Sequence, residues 1–336
     1  MLEHGGNLTL AVQRFGRPAG RWLDLSTGIN PHAWPIPSIP AELWHCLPNM
    51  DDDLKKVACH YFGFPQVLPV AGTQAALQML PTLRPYSRVA IQPLTYAEHA
   101  ACWARQGHEV IPWSAGQDLS SIDVLVVVNP NNPTGEVTPL HKLWAWHAEL
   151  AARGGWLIVD EAFMDATPTD SLLSTLPRFA QKALPPGLIV LRGLGKFFGL
   201  AGARVGFVGA SPSFLEDLED ALGPWTISAP SRWLAIQALR DISWQESMRH
   251  KLIRESERLH ELLVHSQFPP QGGTPLFQWV MASQAQRLQD HLAHQGIWVR
   301  NFPKNYGIRF GLPGNELAWQ HLAKGLSSFK FGTGMS

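Results

Sequence analysis

Charge of either sign is scarce in this chain: 16% of its 336 residues are charged, with Lys+Arg and Asp+Glu balanced at 27 each. That balance leaves no basic footprint for nucleic acid or an acidic membrane. Cysteine is scarcer still. Cys46, Cys59 and Cys102 show no metal-ligand spacing and leave an odd one in any disulfide scheme. They read as reduced structural residues of a cytoplasmic protein, and no metal site is expected. No apolar run reaches the length of a membrane span. The first ten residues lack a basic region followed by an apolar core, so no secretory signal is expected. Internal repeats and low-complexity segments are missing too. What is present is a 45% hydrophobic composition, enough for one large core and a smaller one. The 14 tryptophans read mainly as packing residues.

Short apolar runs alternate with helical patterns along most of the chain. Gly187 to Leu191 and Asp123 to Val128 read as buried strands of a parallel sheet covered on both faces. Trp156 to Val159 is another strand, with Asp160 at its carboxyl end, where ligands gather in open α/β sheets. Val67 to Ala71 and Arg88 to Gln92 are further strands. Gly72-Thr73-Gln74 opens a helix over Ala75 to Leu80, and a helix N-terminus offers N–H groups to a phosphate. Helices are expected at 8–15, 53–62, 97–106, 140–153, 231–241, 284–294 and 316–326, and a long one over Ser243 to Ser266. Thr274 to Met281 and Ile297 to Arg300 read as strands of a second, smaller region, and Phe329 to Ser336 as a loose tail.

One lysine stands out. Lys196 sits in Leu191-Arg192-Gly193-Leu194-Gly195-Lys196-Phe197-Phe198-Gly199, a glycine-punctuated loop of apolar residues behind a buried strand. Burial disfavours an ammonium and makes the amine a better nucleophile toward an aldehyde. An isolated loop lysine is ordinarily solvated; its neighbours set this one apart. Arg204 follows eight positions later. Asn129-Pro130-Asn131-Asn132-Pro133-Thr134-Gly135 and Val159-Asp160-Glu161-Ala162-Phe163 precede it.

These motifs, in this order and spacing, resemble those of the fold-type I pyridoxal-phosphate enzymes, in the class that includes histidinol-phosphate aminotransferase. The resemblance spans His4 to Leu326. It implies an α/β fold: a large domain, 31–243, with a mostly parallel central sheet, and a small α+β domain from 1–30 and 244–336. It implies pyridoxal 5'-phosphate as cofactor and a homodimer. Carried over residue by residue, it makes Lys196, Asp160 and Tyr96 catalytic. Lys196 would bond the cofactor aldehyde, Asp160 would hold a proton on the ring nitrogen, and Tyr96 would stack on the ring. Gly72, Thr73, Gln74 and Arg204 would hold the phosphate, and Asn132 would donate to the phenolic oxygen. Ser26, Gly28 and Asn30, in Leu25-Ser26-Thr27-Gly28-Ile29-Asn30-Pro31, would place backbone groups near a substrate carboxylate. Arg309, in Tyr306-Gly307-Ile308-Arg309-Phe310, would make a fork-on-fork pair with that carboxylate. Arg300 would serve a second anionic group.

Several positions depart from the aminotransferase pattern. Leu47 stands where a tyrosine reaches the partner's cofactor phosphate, Phe163 where a tyrosine binds the phenolic oxygen, and Gly193 where a hydroxyl completes the phosphate cup. His4-Gly5-Gly6-Asn7, Phe163, Gly195 and Gly223-Pro224-Trp225 resemble instead the threonine-phosphate decarboxylases of cobalamin biosynthesis, in which His4 would contact the substrate phosphate. The expected substrate is thus a phosphorylated amino acid, L-threonine O-3-phosphate, and no nucleic acid or membrane is expected as partner. Two other readings stand beside this one: an aminotransferase of the histidinol-phosphate type, and an idle cofactor-binding module. No DNA-binding extension precedes His4, and both Lys196 and Asp160 are present, which speaks against the last.

Overall fold

The computed structural model describes residues 4–16, 22–176, 182–302 and 307–330. Tyr306 and the tail from 331 onward, both named above, lie outside the described residues. In chain order the elements open with helix α1 (Leu8–Phe15) and strand β1 (Leu23–Asp24). Helix α2 (Leu54–Phe62), β2 (Leu68–Val70), α3 (Thr73–Met79), β3 (Arg88–Ile91), α4 (Glu98–Arg105) and β4 (Glu109–Pro112) follow. Next come β5 (Val124–Val128), α5 (Leu140–Ala151), β6 (Trp156–Asp160), β7 (Leu188–Gly193), β8 (Gly206–Gly209), α6 (Pro212–Leu222) and α7 (Ala229–Arg240). The chain continues with α8 (Ile242–His265), β9 (Gly272–Thr274), β10 (Phe277–Met281) and α9 (Ala285–His294). It closes with β11 (Ile297–Trp298), β12 (Arg300–Phe302), β13 (Gly307–Gly311) and α10 (Glu316–Ser327).

Two compact units divide the chain. One comprises 33–132 and 136–249, the other 1–32, 133–135 and 250–336. Relative to the expected boundaries, the last break falls later, inside α8, and 133–135 joins the smaller unit.

The larger unit is built on a seven-stranded sheet in the order β2-β8-β7-β6-β5-β3-β4. Strands β4, β3, β5, β6 and β7 are parallel; β8 runs antiparallel to both of its neighbours, β7 and β2. Six strands therefore share one direction. Strands β5 and β7 are buried along their whole length, which is why they read as continuous apolar runs rather than alternating ones. Val124, Val126, Ile158, Ile189 and Leu191 pack with Leu77, Trp103 and Leu218 from α3, α4 and α6 in one core. The reversed strand β8 and helix α6 were not anticipated from the sequence.

The smaller unit carries a four-stranded antiparallel sheet, β12-β13-β10-β9, and a parallel pair, β1-β11. The run expected as one strand over 297–300 is two. Ile297 and Trp298 pair with β1, while Arg300 pairs with Arg309 in the other sheet, so the chain changes sheets at Val299. Helix α1 begins at Asn7, whose side chain accepts from the Leu10 N–H at 3.0 Å. That bond satisfies one of the orphan donors of a first turn. Asn315 caps α10 in the same way through the Ala318 N–H.

Candidate functional site

In the larger unit the expected cofactor residues come from the carboxyl ends of β2, β3, β5, β6 and β7, which lie on one edge because those strands run the same way. Because β8 is reversed, its amino end lies at that same edge, and Arg204 stands two residues before it.

Gly72 is the N-cap of α3 and has φ +71°. A Cβ there would fall 2.6 Å from Arg204 Nη2, so the guanidinium occupies the space a side chain would need. Arg204 itself holds a left-handed backbone, φ 52°, uncommon for a non-glycine residue. A Cβ on Gly206 would lie 2.5 Å from the Thr73 amide nitrogen. Gly72, Thr73, Arg204 and Gly206 thus form a close-packed cradle beside a helix N-terminus, with the geometry of an anion seat. Helix α3 starts at Thr73 rather than at Ala75. Gln74 turns its side chain to Glu98, donating through Nε2 at 3.0 Å, and accepts from the Tyr96 hydroxyl at 3.4 Å. That leaves its backbone, rather than its amide group, for the cradle. At Gly193 a Cβ would meet Thr73 Cγ2 at 3.6 Å, ordinary contact, so a first side-chain carbon fits there.

Asp160 ends β6 and is 4% exposed. One oxygen, Oδ1, accepts from the Ala162 N–H at 3.0 Å, and the other lies 2.9 Å from His99 Nε2. His99 is buried on α4, and its ring meets the Tyr96 ring edge-on at a centroid distance of 6.1 Å. Burial, and then the neighbouring Glu98 and Asp160, push the Tyr96 hydroxyl up to about 12. Sequence reasoning missed His99. Its only local signal is its place three residues after Tyr96, and its partner is 61 residues away.

Lys196 lies in the tight loop after β7. The Leu194 N–H donates to Val205 O, Leu200 N–H to Leu194 O, and Gly199 N–H to Lys196 O. Lys196 Nζ stands 5.3 Å from the centroid of Phe163, a buried ring. Asn132 sits half-buried in the loop after β5. Beneath it, Asn131 Nδ2 donates to Leu94 O at 2.9 Å, and its Oδ1 accepts from the Thr95 hydroxyl at 2.6 Å.

Behind the strand ends runs a second unanticipated group. Arg192 donates to Glu161 at 2.6 Å and to Asp165 at 2.8 Å, with all three side chains buried. Glu161 also accepts from the Ser171 hydroxyl and the Leu172 N–H. Although burial opposes its charge, Asp165 and Glu161 raise the Arg192 pKa. The network clamps the residue next to Asp160 to the strand that leads to Lys196.

In the smaller unit, Arg309 and Arg300 face each other across β13 and β12. Like charges directly opposite on a sheet repel. Arg309 is 5% exposed, donates to Ser26 O, and lies 5.2 Å from the Phe277 ring centroid. Burial and then Arg300 push it down to about 9, so an anion here would relieve an existing shortage of negative charge. Ser26 also accepts from the Gly6 N–H at 2.7 Å and donates to Asp24 at 2.6 Å. A Cβ on Gly5 would lie 2.2 Å from Ser26 O, so only glycine permits this approach of the N-terminal segment. Gly28 has φ +62°, and Asn30 is buried with its Oδ1 accepting from the His32 N–H at 2.8 Å. His4 and Arg300 line a common cavity of 170 Å³.

The model of the aminotransferase class I and II family matches residues 43–314. The chain belongs to that family. It is 48% identical to the threonine-phosphate decarboxylase of Pseudomonas aeruginosa over 98% of this chain and 98% of that protein. Identity to the threonine-phosphate decarboxylase of a Sinorhizobium species is 38%, over 97% of this chain and 98% of that one. Among solved structures, histidinol-phosphate aminotransferase from Sinorhizobium meliloti in complex with pyridoxal-5'-phosphate superposes with a TM-score of 0.77. It is 21% identical and covers 97% of this chain and 94% of that one, a likeness of fold. The cradle at Gly72 and Arg204, the buried carboxylate Asp160 and the amine of Lys196 supply the donor, acceptor and nucleophile that this cofactor's phosphate, protonated ring nitrogen and aldehyde require.

Proposed function

We propose that this protein decarboxylates L-threonine O-3-phosphate to (R)-1-amino-2-propanol O-2-phosphate, a precursor in cobalamin biosynthesis. The observation that carries the reading is the near-full-length 48% identity to a threonine-phosphate decarboxylase. Phe163 adds support: lying against Lys196, it has no hydroxyl to offer the cofactor.

Pyridoxal 5'-phosphate, when bound, supplies an electron sink for the pair left on Cα as the Cα–carboxylate bond breaks. The chain's own residues do the rest. Gly72, the backbone of Thr73 and Gln74, and Arg204 hold the cofactor phosphate. Asp160, oriented by His99, keeps a proton on the ring nitrogen. Tyr96 would lie against the ring and Asn132 would donate to its phenolic oxygen. Lys196 Nζ would bond the cofactor aldehyde, and the same amine would supply the proton that Cα takes in place of the departed carbon dioxide. Arg309, with the backbone around Ser26, Gly28 and Asn30, orients the substrate carboxylate. His4 and Arg300 take the substrate phosphate.

The protein works as a homodimer in the cytoplasm on this reading. Exposed Ile36, Trp44, Leu47 and Trp225 of the larger unit are suited to a subunit contact. Among the described residues no helix is long and apolar enough to cross a membrane.

Single-turnover chemistry with threonine phosphate tests the reaction. Carbon dioxide release with the cofactor recovered in its aldehyde form is expected. Conversion of the cofactor to its amine form, without carbon dioxide, would move the protein to the aminotransferases.

A further inference from the structure

Ser26 is fully buried, and each of its hydrogen-bonding groups is engaged. Its N–H and its hydroxyl both donate to Asp24 Oδ1, at 2.9 and 2.6 Å. A carboxylate only accepts, so the hydroxyl hydrogen is committed to Asp24. Oγ is left to accept the Gly6 N–H, at 2.7 Å. The carbonyl oxygen of Ser26 accepts from Arg309 Nη2. Gly5 rests on that same oxygen, since a Cβ at position 5 would fall 2.2 Å from it.

Two segments far apart in the chain therefore meet on one residue. Ser26 carries the N-terminal segment on its hydroxyl and Arg309 on its carbonyl. Two residues before the bonded Gly6 amide, His4 lines the 170 Å³ cavity together with Arg300. On the other side of Gly6, Asn7 is tied into the first turn of α1. The bond to Ser26 falls where two successive glycines would otherwise leave the backbone loose.

From this we infer that Ser26, oriented by Asp24, is a positioning residue whose hydroxyl holds the N-terminal segment so that His4 keeps its place at the phosphoryl end of the substrate. This rests on the reading that His4 and Arg300 take a substrate phosphate, and it goes further by naming the group that keeps His4 there.

Hydrogen–deuterium exchange at the Gly6 amide of the cofactor-loaded protein, with steady-state kinetics on threonine phosphate, tests it. Ser26→Ala is expected to speed that exchange and to raise KM about tenfold, the scale of one buried hydrogen bond lost. The effect on kcat should be smaller than that on KM. Gly5→Ala reaches the same contact from the other side: its methyl pushes the segment off Ser26 O and leaves the hydroxyl in place. It should raise KM in the same way, and it keeps the test open should Ser26→Ala fail to fold. Combining the two should add little to either, because both break one contact. Wild-type exchange at Gly6 in Ser26→Ala, an unchanged KM in both variants, or effects that add in full would overturn the inference. If threonine phosphate is not decarboxylated while Ser26→Ala still frees Gly6, the substrate assignment falls and Ser26 remains the tether of the segment. Decarboxylation with an unchanged KM in both variants would do the reverse.

Discussion

Asp160 owes its usefulness to a neighbour. A carboxylate at 4% exposure is expensive to keep charged without partners, and His99 at 2.9 Å is its side-chain partner. His99→Leu should lower kcat/KM about ten- to hundredfold, the weight of one buried hydrogen bond to a charged group. It should also shift the pH at which the bound cofactor's visible absorbance changes, a readout that a packing defect alone would leave in place. His99→Gln, which restores a donor, should recover part of both effects. An unchanged absorbance profile in His99→Leu would remove His99 from the chemistry. Neither this pair nor the Arg192–Glu161–Asp165 group is visible in the sequence, because the partners are separated by 61, 31 and 27 residues. Lys196, Asp160 and Asn132 stand out in the sequence as candidates because each sits inside a short local motif.

Among the elements, the junction of β2, α3 and β8 is closely packed. Gly206→Ala would drive a methyl group to within 2.5 Å of the Thr73 nitrogen and 2.7 Å of the Gly72 carbonyl carbon, both backbone atoms. Backbone has little freedom to move aside, so a loss of ~1–3 kcal/mol is expected, together with weaker cofactor retention on gel filtration. Gly193→Ala, whose methyl meets Thr73 Cγ2 at 3.6 Å, should be tolerated on both counts. Equal behaviour of the two variants would remove the close packing as the reason for Gly206. Strands β5, β6 and β7 were legible as apolar runs because they are buried on both faces. The four-residue β8 offered no such signal: glycine occupies both of its ends. The split at Val299 was hidden for a related reason. Both sheets bury their strands there, and burial alone does not say which partner a residue pairs with.

For the molecule as a whole, alkaline pH is the predictable threat. Desolvation, and then the neighbouring Asp165, raise the half-buried Tyr61 well above its ordinary value, and Tyr96 is raised to about 12. A phenol whose folded pKa exceeds its unfolded one stabilises fully below the unfolded value, near 10, and loses that contribution as pH climbs through the folded one. Arg309, pushed down to about 9, works in the opposite sense, since its charge is a burden that lifts as pH rises. With two tyrosines against one arginine, the melting temperature should fall above pH 10, and Tyr61→Phe should flatten that fall. An equally steep fall in the Tyr61→Phe variant and the wild-type protein would exclude Tyr61 as the cause.

The single reversed strand has a consequence for how the larger unit holds together. Because β8 starts where its neighbours end, segments as far apart as Gly72 and Arg204 arrive at one sheet edge. A ligand seated there acts as one more rivet through loops that the chain already links by hydrogen bonds such as Leu194 N–H to Val205 O. Its binding energy is thereby shared among several segments. Loss of the cofactor would therefore loosen these loops together, turning a local departure into a change in cooperativity of the whole sheet edge.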